Sequence, residues 1–341
     1  MFDRRLILNF DIVLFCTVLL ICGAGVLNLN SICSSVGEST ASFYYKQICW
    51  IVFGLLCIVC IININYTSIV RYGYHLHACA VFLLLLVLVI GKIKLGSQRW
   101  ISIGGISLQP SELVKITFIL ALAKFYSENI SQKPYTLRDI LYPVLLLIST
   151  FVPIYLQPDL GTAGIVFLVF CAFLFFLNLN KKSFYPFFAL ILCGMPFCWF
   201  FLREYQKQRI LIFLNPDLDP LRAGYQIIQS KIAVGSGGIL GKGFKMGTQS
   251  QLRFLPEQHT DFVFSVWAEE WGFVGCCIVL LLYFFLIYRA LTIAYNAKNF
   301  YGSFLAIGLS FLFFVQFFIN ICMTIGLFPV VGVPLPLMSY G

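Results

Sequence analysis

The sequence predicts an all-α polytopic membrane protein, a single integral membrane domain over 1–341 with about nine spanning helices and one long polar loop between the seventh and eighth. Two observations carry this. Of 341 residues, 60% are hydrophobic and only 11% are charged, too little polar surface to cover a soluble globule of that size. The apolar residues also fall in runs close to the ~20 residues that a helix needs to cross a bilayer. Hydrocarbon offers no partner to an open sheet edge, so such runs are read as helices and not strands.

The runs lie at 11–28, 46–63, 75–91, 112–126, 139–156, 161–178, 184–201, 263–288 and 303–327. The first follows Arg4 and Arg5 in the manner of a signal peptide. It lacks a small-residue cleavage site and precedes many more spans, so it is read as a retained helix. Basic residues in short loops set orientation. An inside amino terminus puts Arg4, Arg5, Arg71, Lys124, Lys133, Arg138, Lys181, Lys182, Arg289 and Lys298 on the cytoplasmic side, against Lys46, Lys92, Lys94, Arg99 and Lys115 outside. The amino terminus is therefore expected in the cytoplasm, and the 202–262 loop outside. The net charge of +9 is explained by basic loops beside anionic lipid, and no nucleic acid partner is expected. Nearly all the cysteines sit in apolar runs; Cys57 and Cys60, despite their CxxC spacing, read there as small core residues rather than redox or zinc ligands. His75 and His77, at a helix start, read as interfacial.

Lipid-facing helices tolerate almost any apolar residue, so polar residues mark where something else constrains the chain. Glu112 and Lys115 are three apart on one helix face, after Gln109-Pro110-Ser111. One reading is a helix start with Ser111 as N-cap and Glu112 at the positive dipole end. The other is a capped helix facing a polar cavity, since a lysine one turn into an apolar helix is costly without a partner. Asp159, in Gln157-Pro158-Asp159-Leu160-Gly161-Thr162, is either part of a simple turn or a carboxylate at the membrane face that Arg99 approaches from Gly96-Ser97-Gln98-Arg99-Trp100.

The 202–262 loop is too long for a plain connection. Its 223–235 stretch mixes Tyr225, Ile227, Ile228, Ile232 and Val234 with Gln226, Gln229 and Lys231, predicting an amphipathic helix at the membrane surface. A glycine series follows, Gly235, Gly237, Gly238, Gly241, Gly243 and Gly247, read either as simple turns or as backbone shaped around phosphate or sugar. It does not match a nucleotide P-loop. The loop closes with Leu255-Pro256-Glu257-Gln258-His259-Thr260-Asp261-Phe262. Asp261 is thereby placed at the mouth of a helical bundle, where partial shielding raises a pKa and suits a general base; N-capping by Thr260 or Asp261 is the alternative. With His259 as its single histidine, the loop gives little support to a zinc site.

Taken together, these stretches resemble the SEDS family of bacterial membrane proteins (shape, elongation, division and sporulation). The matching residues are Gly96-Ser97-Gln98-Arg99-Trp100, Gln109-Pro110-Ser111-Glu112, Gln157-Pro158-Asp159-Leu160-Gly161-Thr162, Gly224-Tyr225-Gln226, Gln229-Ser230-Lys231-Ile232-Ala233, the segment from Leu255 to Phe262, and Pro334-Leu335-Pro336-Leu337-Met338-Ser339-Tyr340-Gly341. Gly247-Thr248-Gln249-Ser250-Gln251-Leu252 points to the RodA branch. The resemblance implies a ten-helix SEDS-type bundle, and Ser339-Tyr340-Gly341 lies where a tenth helix is expected to follow.

It also implies a peptidoglycan glycosyltransferase of the cell inner membrane that polymerises lipid II during elongation and maintenance of cell shape, by inverting transfer. By its match to the family motif, Asp261 is the expected base. Arg99, Arg209 and Lys231 are candidates to stabilise the departing undecaprenyl pyrophosphate, Glu112, Lys115 and Asp159 a supporting network, and Glu257, His259 and Thr260 the flank of the base. A divalent cation, Mg2+ or Mn2+, is the one cofactor this chemistry would admit. The partners implied are lipid II, a class B penicillin-binding protein transpeptidase and the elongation machinery. Two other classes stay open on residues alone, a lipid II flippase or transporter and a non-catalytic scaffold.

Overall fold

The computed structural model describes residues 10–34, 41–94, 97–103, 106–129, 135, 137–176, 185–186, 189, 193–194, 199–200, 202–220, 223–252 and 254–340. Among these, in chain order, are α1 (Ile12–Ser34), α2 (Ala41–Ile62), α3 (Tyr66–Arg71), α4 (Gly73–Ile90), β1 (Lys92–Lys94), β2 (Ser97–Ile103), β3 (Ile106–Leu108), α5 (Pro110–Glu128), α6 (Leu137–Leu156), α7 (Leu160–Phe176), α8 (Glu204–Leu214), a 3-10 turn (Pro216–Leu218), α9 (Ala223–Ser236), α10 (Thr248–Gln251), α11 (Val263–Tyr295) and α12 (Phe300–Thr324).

Five stretches are long and apolar enough to cross a membrane: Ile12–Ser34, Phe43–Ile62, Asp139–Leu156, Val263–Tyr295 and Phe300–Thr324; Gly73–Val89 and Leu160–Phe176 are shorter apolar helices. The chain is thus an all-α, multi-pass membrane protein. The expected run at 112–126 forms α5, which carries Glu112, Lys115, Lys124 and Glu128 and so is less purely apolar. The run at 184–201 lies mostly outside the described residues. The segment before α5, which lies between two of the apolar runs, forms a three-stranded antiparallel meander, Trp100 opposite Lys92 and Ile101 opposite Leu108.

The chain divides into two compact units. The first comprises Met1–Ile64, Arg203–Arg289 and Gln316–Gly341. Its core joins Leu29 and Ile32 of α1 to Leu255, Phe262 and Val266, with Val330 and Tyr340 packed against them. Asn28 Nδ2 donates to Val263 O at 2.7 Å, and Arg289 Nε meets Asp11 Oδ2 at 2.7 Å. Helix α9 buries Gly224, Ile227, Ser230 and Ala233, a three-residue spacing that gives it one inward face of mostly small residues; of the apolar residues in the expected amphipathic pattern only Ile227 is buried, and Ile232 is exposed.

The second unit comprises Asn65–Leu202 and Ala290–Val315. In lipid, helices associate by close van der Waals packing, which small residues permit. Gly73 of α4 lies on the backbone of Leu120, and Gly308 of α12 faces Ile119 and Phe173. Tyr126 stacks on Phe173 at 5.9 Å.

Three further readings are corrected. Ser111 is not the N-cap of α5; Gln109 holds that position, with Pro110 first in the helix, where a missing N–H costs nothing. His77 is buried rather than interfacial, with Nε2 3.3 Å from Thr150 Oγ1. Cys57 is half-buried and Cys60 exposed, so neither is a core residue; on an apolar spanning helix such sites face lipid, where a small thiol is at home.

Candidate active site

Leu255, Gln258 and Phe262 are buried, a turn-like spacing that fixes one face of 255–262 inward and presents Glu257, His259, Thr260 and Asp261 on the other. The turn closes on one carbonyl: Thr260 N, Asp261 N and Phe262 N all approach Glu257 O, at 3.2, 3.2 and 3.4 Å. It is then held from far along the chain. Tyr340 N donates to His259 O at 3.0 Å, Ser339 Oγ to Thr260 O at 2.5 Å, and Asn320 Nδ2 to Asp261 O at 2.9 Å. Three consecutive carbonyls are pinned in this way.

The Asp261 carboxyl itself is half-buried. Burial and the neighbouring Glu257 carboxylate push its pKa up from 3.8 to about 6, against the opposing pull of Arg209 and of a hydrogen bond from Thr260. Among the described residues no backbone N–H of α11 donates to the side chain of Thr260 or Asp261, so the N-cap alternative is not realised; the first helical bond there runs from Ser265 N to Phe262 O. Opposite the carboxylate, a Cβ placed on Gly332 would stand 3.5 Å from Asp261 Oδ2. His259 stacks on Phe43 at 5.0 Å.

Two cations of the same unit stay open. Arg209 is exposed on α8, 5.9 Å over the Tyr205 ring. Lys231 is exposed on α9 and its aliphatic chain crosses Gly326 so closely that a Cβ there would lie 1.9 Å from Lys231 Cε. Neither makes an ion pair among the described residues.

The remaining candidates lie in the second unit. The Arg99 guanidinium is fully engaged: Nε donates to Gln157 O at 3.0 Å, Nη2 to Pro158 O, and Nη1 stands 3.4 Å from Asp159 Oδ2. Asp159 is buried and also accepts from Thr162 N and Thr162 Oγ1, at 3.2 and 3.0 Å. Lys115, almost wholly buried, reaches both oxygens of half-exposed Glu112 at 2.8 Å. The structure thus joins Arg99 to Asp159, Lys115 to Glu112, and Asp261 to Thr260, Glu257 and the field of Arg209.

Sequence reasoning missed Asn320, Glu269 and Glu270. Fully buried Asn320 forks its Nδ2 between Asp261 O and Val333 O. Glu269 accepts from Lys242 Nζ (2.7 Å), Thr248 Oγ1 (3.0 Å), Gln249 N (3.0 Å) and Ser250 N (3.3 Å), and Glu270 from Ser31 Oγ. Polar residues inside apolar runs are the signal that exposes all three. The glycine series also finds a use: the close approach it allows is to α11, where a Cβ on Gly237 would meet Ala268 O at 2.1 Å. Among the described residues no three of His, Cys, Asp and Glu converge as a protein-built metal cage needs.

The family model for the FtsW/RodA/SpoVE cell cycle proteins matches residues 10–341. The chain belongs to this family. Among similar FtsW/RodA/SpoVE relatives, the peptidoglycan glycosyltransferase MrdB of Escherichia coli is 43% identical over 297 residues, 87% of this chain and 80% of that protein. The peptidoglycan glycosyltransferase RodA of Treponema pallidum is 32% identical, covering 98% and 93%. Of solved structures, a chain of a peptidoglycan synthase complex that coordinates polymerization and crosslinking matches with a TM-score of 0.81 and 33% identity, over 98% of this chain and 93% of that one. The rod shape determining protein RodA of Thermus thermophilus gives 0.70 at 28% identity, over 98% and 91%.

Proposed function

We propose that this chain is a RodA-type peptidoglycan glycosyltransferase that polymerises lipid II on the outer face of the inner membrane during cell elongation. The observation that carries the reading is Asp261, a half-buried carboxylate with a pKa near 6, on a turn pinned at three carbonyls. Such a group is ionised near neutrality yet basic enough to take a proton.

Asp261 accepts the proton of the acceptor sugar's 4-hydroxyl as that oxygen bonds to the anomeric carbon of the donor. The bond from that carbon to the pyrophosphate oxygen breaks, its electrons leave with undecaprenyl pyrophosphate, and configuration inverts. Arg209 and Lys231, free of ion pairs among the described residues, offer charge to the leaving group. Within the second unit, Arg99 with Asp159 and Lys115 with Glu112 form two ion pairs. Burial raises the basicity of Asp261 most, Glu257 adds to it and Thr260 opposes it, and His259 anchors the turn through Phe43. A divalent cation, when bound, would neutralise pyrophosphate charge.

The charge census supports a cytoplasmic amino terminus, and the Arg289–Asp11 pair puts Arg289 on the same side of the membrane as the start of α1. A class B penicillin-binding protein is the partner this reading assigns, supported by the similarity to a synthase complex that couples polymerization to crosslinking. Polymerisation of purified lipid II by the full chain with its partner, wild type against Asp261→Asn, tests the reading on a glycan-length gel. Product from wild type alone supports it; product from both moves the base elsewhere; product from neither returns transport or scaffolding.

A further inference from the structure

Helix α11 breaks at Gly272, whose backbone leaves the helical region (φ 64, ψ −162). In an unbroken helix Phe273 N would donate to Glu269 O and Val274 N to Glu270 O. Here Lys242 N donates to Glu269 O and Gly243 N to Glu270 O, both at 3.0 Å, while Phe273 N donates to Gly238 O at 2.9 Å and Val274 N to Ile239 O at 3.1 Å. Segment 238–243 is therefore spliced into the helix ladder, and it satisfies the carbonyls of Glu269 and Glu270 and the N–H groups of Phe273 and Val274 that the break frees. The fit needs glycine on both sides, since a Cβ on Gly272 would lie 2.2 Å from Gly241 N and one on Gly241 2.1 Å from Glu270 O.

Of the 33 residues of α11, ten precede or form the break and 23 follow it. Ahead of Arg289, which pairs with Asp11 at the opposite end, the residues 273–288 reach about 24 Å at the helical rise, most of a hydrocarbon core of ~30 Å. The splice accordingly lies at the rim of the hydrocarbon on the Asp261 side. Its side chains match that depth. Ile239 is 72% exposed, Leu240 80% and Met246 69%, beside Phe273 at 65%; the apolar surface continues along α11 through Ile278 and Leu281, both exposed. Exposed Lys245 sits over the Phe244 ring at 5.3 Å, a pairing suited to the headgroup boundary. Backbone satisfied internally, apolar tips and a flanking cation are what lipid demands of a non-helical segment.

We propose that 238–246 is a membrane-dipping element whose Ile239, Leu240 and Met246 side chains insert among the acyl chains of the leaflet on the Asp261 side. This goes beyond the glycosyltransferase reading and holds or fails independently of it. The test places an environment-sensitive fluorescent amino acid at Leu240, and separately at Ile239, in the full chain in phosphatidylcholine nanodiscs without any partner; both sites are exposed, so the fold is spared. Asp217, exposed in the 3-10 turn, is the aqueous control. Lipid brominated near its glycerol end should quench the Leu240 and Ile239 probes about threefold or more above aqueous iodide, with the order reversed at Asp217. Iodide reaching Leu240 as freely as Asp217, without bromolipid quenching, would overturn the proposal. Shielding from both quenchers would also overturn it, because the tip would then be buried in protein.

Discussion

Replacing Asp261 by Asn changes two observables in opposite directions. The folded-state pKa of about 6 stands about two units above the usual 3.8, and each unit is ~1.36 kcal/mol of preference for the protonated form. The carboxyl is only half-buried, and screening by water trims the cost of ionising it to ~1–3 kcal/mol. Because the folded pKa is the higher one, the folded chain holds its proton more tightly than the unfolded chain. The group's contribution to stability is then full below pH 4 and is lost as pH rises through about 6. Asparagine carries no such cost, so Asp261→Asn should unfold at a higher temperature than wild type at pH 8, with the gap closing as pH falls toward 4. Over the same range the variant should lose polymerisation, whereas the wild-type rate should climb through pH 6. Thermal unfolding in detergent at matched scan rates, beside single-turnover polymerisation, reads both. A variant that is less stable at pH 8, or one that polymerises normally, would refute the reasoning.

The neighbours of Asp261 supply signed controls: Arg209→Gln should move the midpoint of the pH–rate profile up and Glu257→Gln should move it down, so shifts in the same direction would disconnect both from the base. In the second unit, Glu112→Gln strands the buried Lys115 ammonium and should cost ~2–4 kcal/mol, most of it recovered when Lys115→Met is added; equal losses in single and double variants, by thermal unfolding, would deny the pairing. Arg99→Lys should destabilise nearly as much as Arg99→Ala, ~2–4 kcal/mol, because one ammonium cannot serve Gln157 O, Pro158 O and Asp159 with the geometry of a planar fork.

The spans and the Asp261 turn were legible in the sequence for different reasons. Hydropathy over some twenty residues is a local, additive signal, so α1, α2, α6, α11 and α12 could be read from composition alone. The pairs Glu112–Lys115 and Arg99–Asp159 were legible because each is expensive in lipid without its partner. What stayed hidden depends on distant segments. Glu269 and Glu270 interrupt the apolar run just ahead of Gly272, but nothing in it shows that α11 breaks there, because the segment that fills the break lies about thirty residues upstream. The β-meander lies between the apolar runs, and its strands of 3, 7 and 3 residues are too short to carry a periodic signal of their own. Asn320 was passed over inside an apolar run, although the cost of burying an unpaired amide marks it as bonded to something.

Asn320 also shows why the base is built as it is. A carboxylate positioned by hydrogen bonds to its own oxygens is stabilised in its charged form, and its pKa falls. Glu269 takes four donors on its two oxygens and so ties segment 242–250 to α11. Asp261 is positioned the other way: Asn320, Ser339 and Tyr340 hold the carbonyls of residues 259–261, while among the described residues hydrogen bonding at the carboxyl is left to Thr260. Placement is thereby separated from charge stabilisation, and the side chain keeps the basicity that burial and Glu257 confer. The segment that follows α12 accordingly shapes the site without supplying a reacting group, through contacts with peptide carbonyls that no pattern of side-chain types could announce.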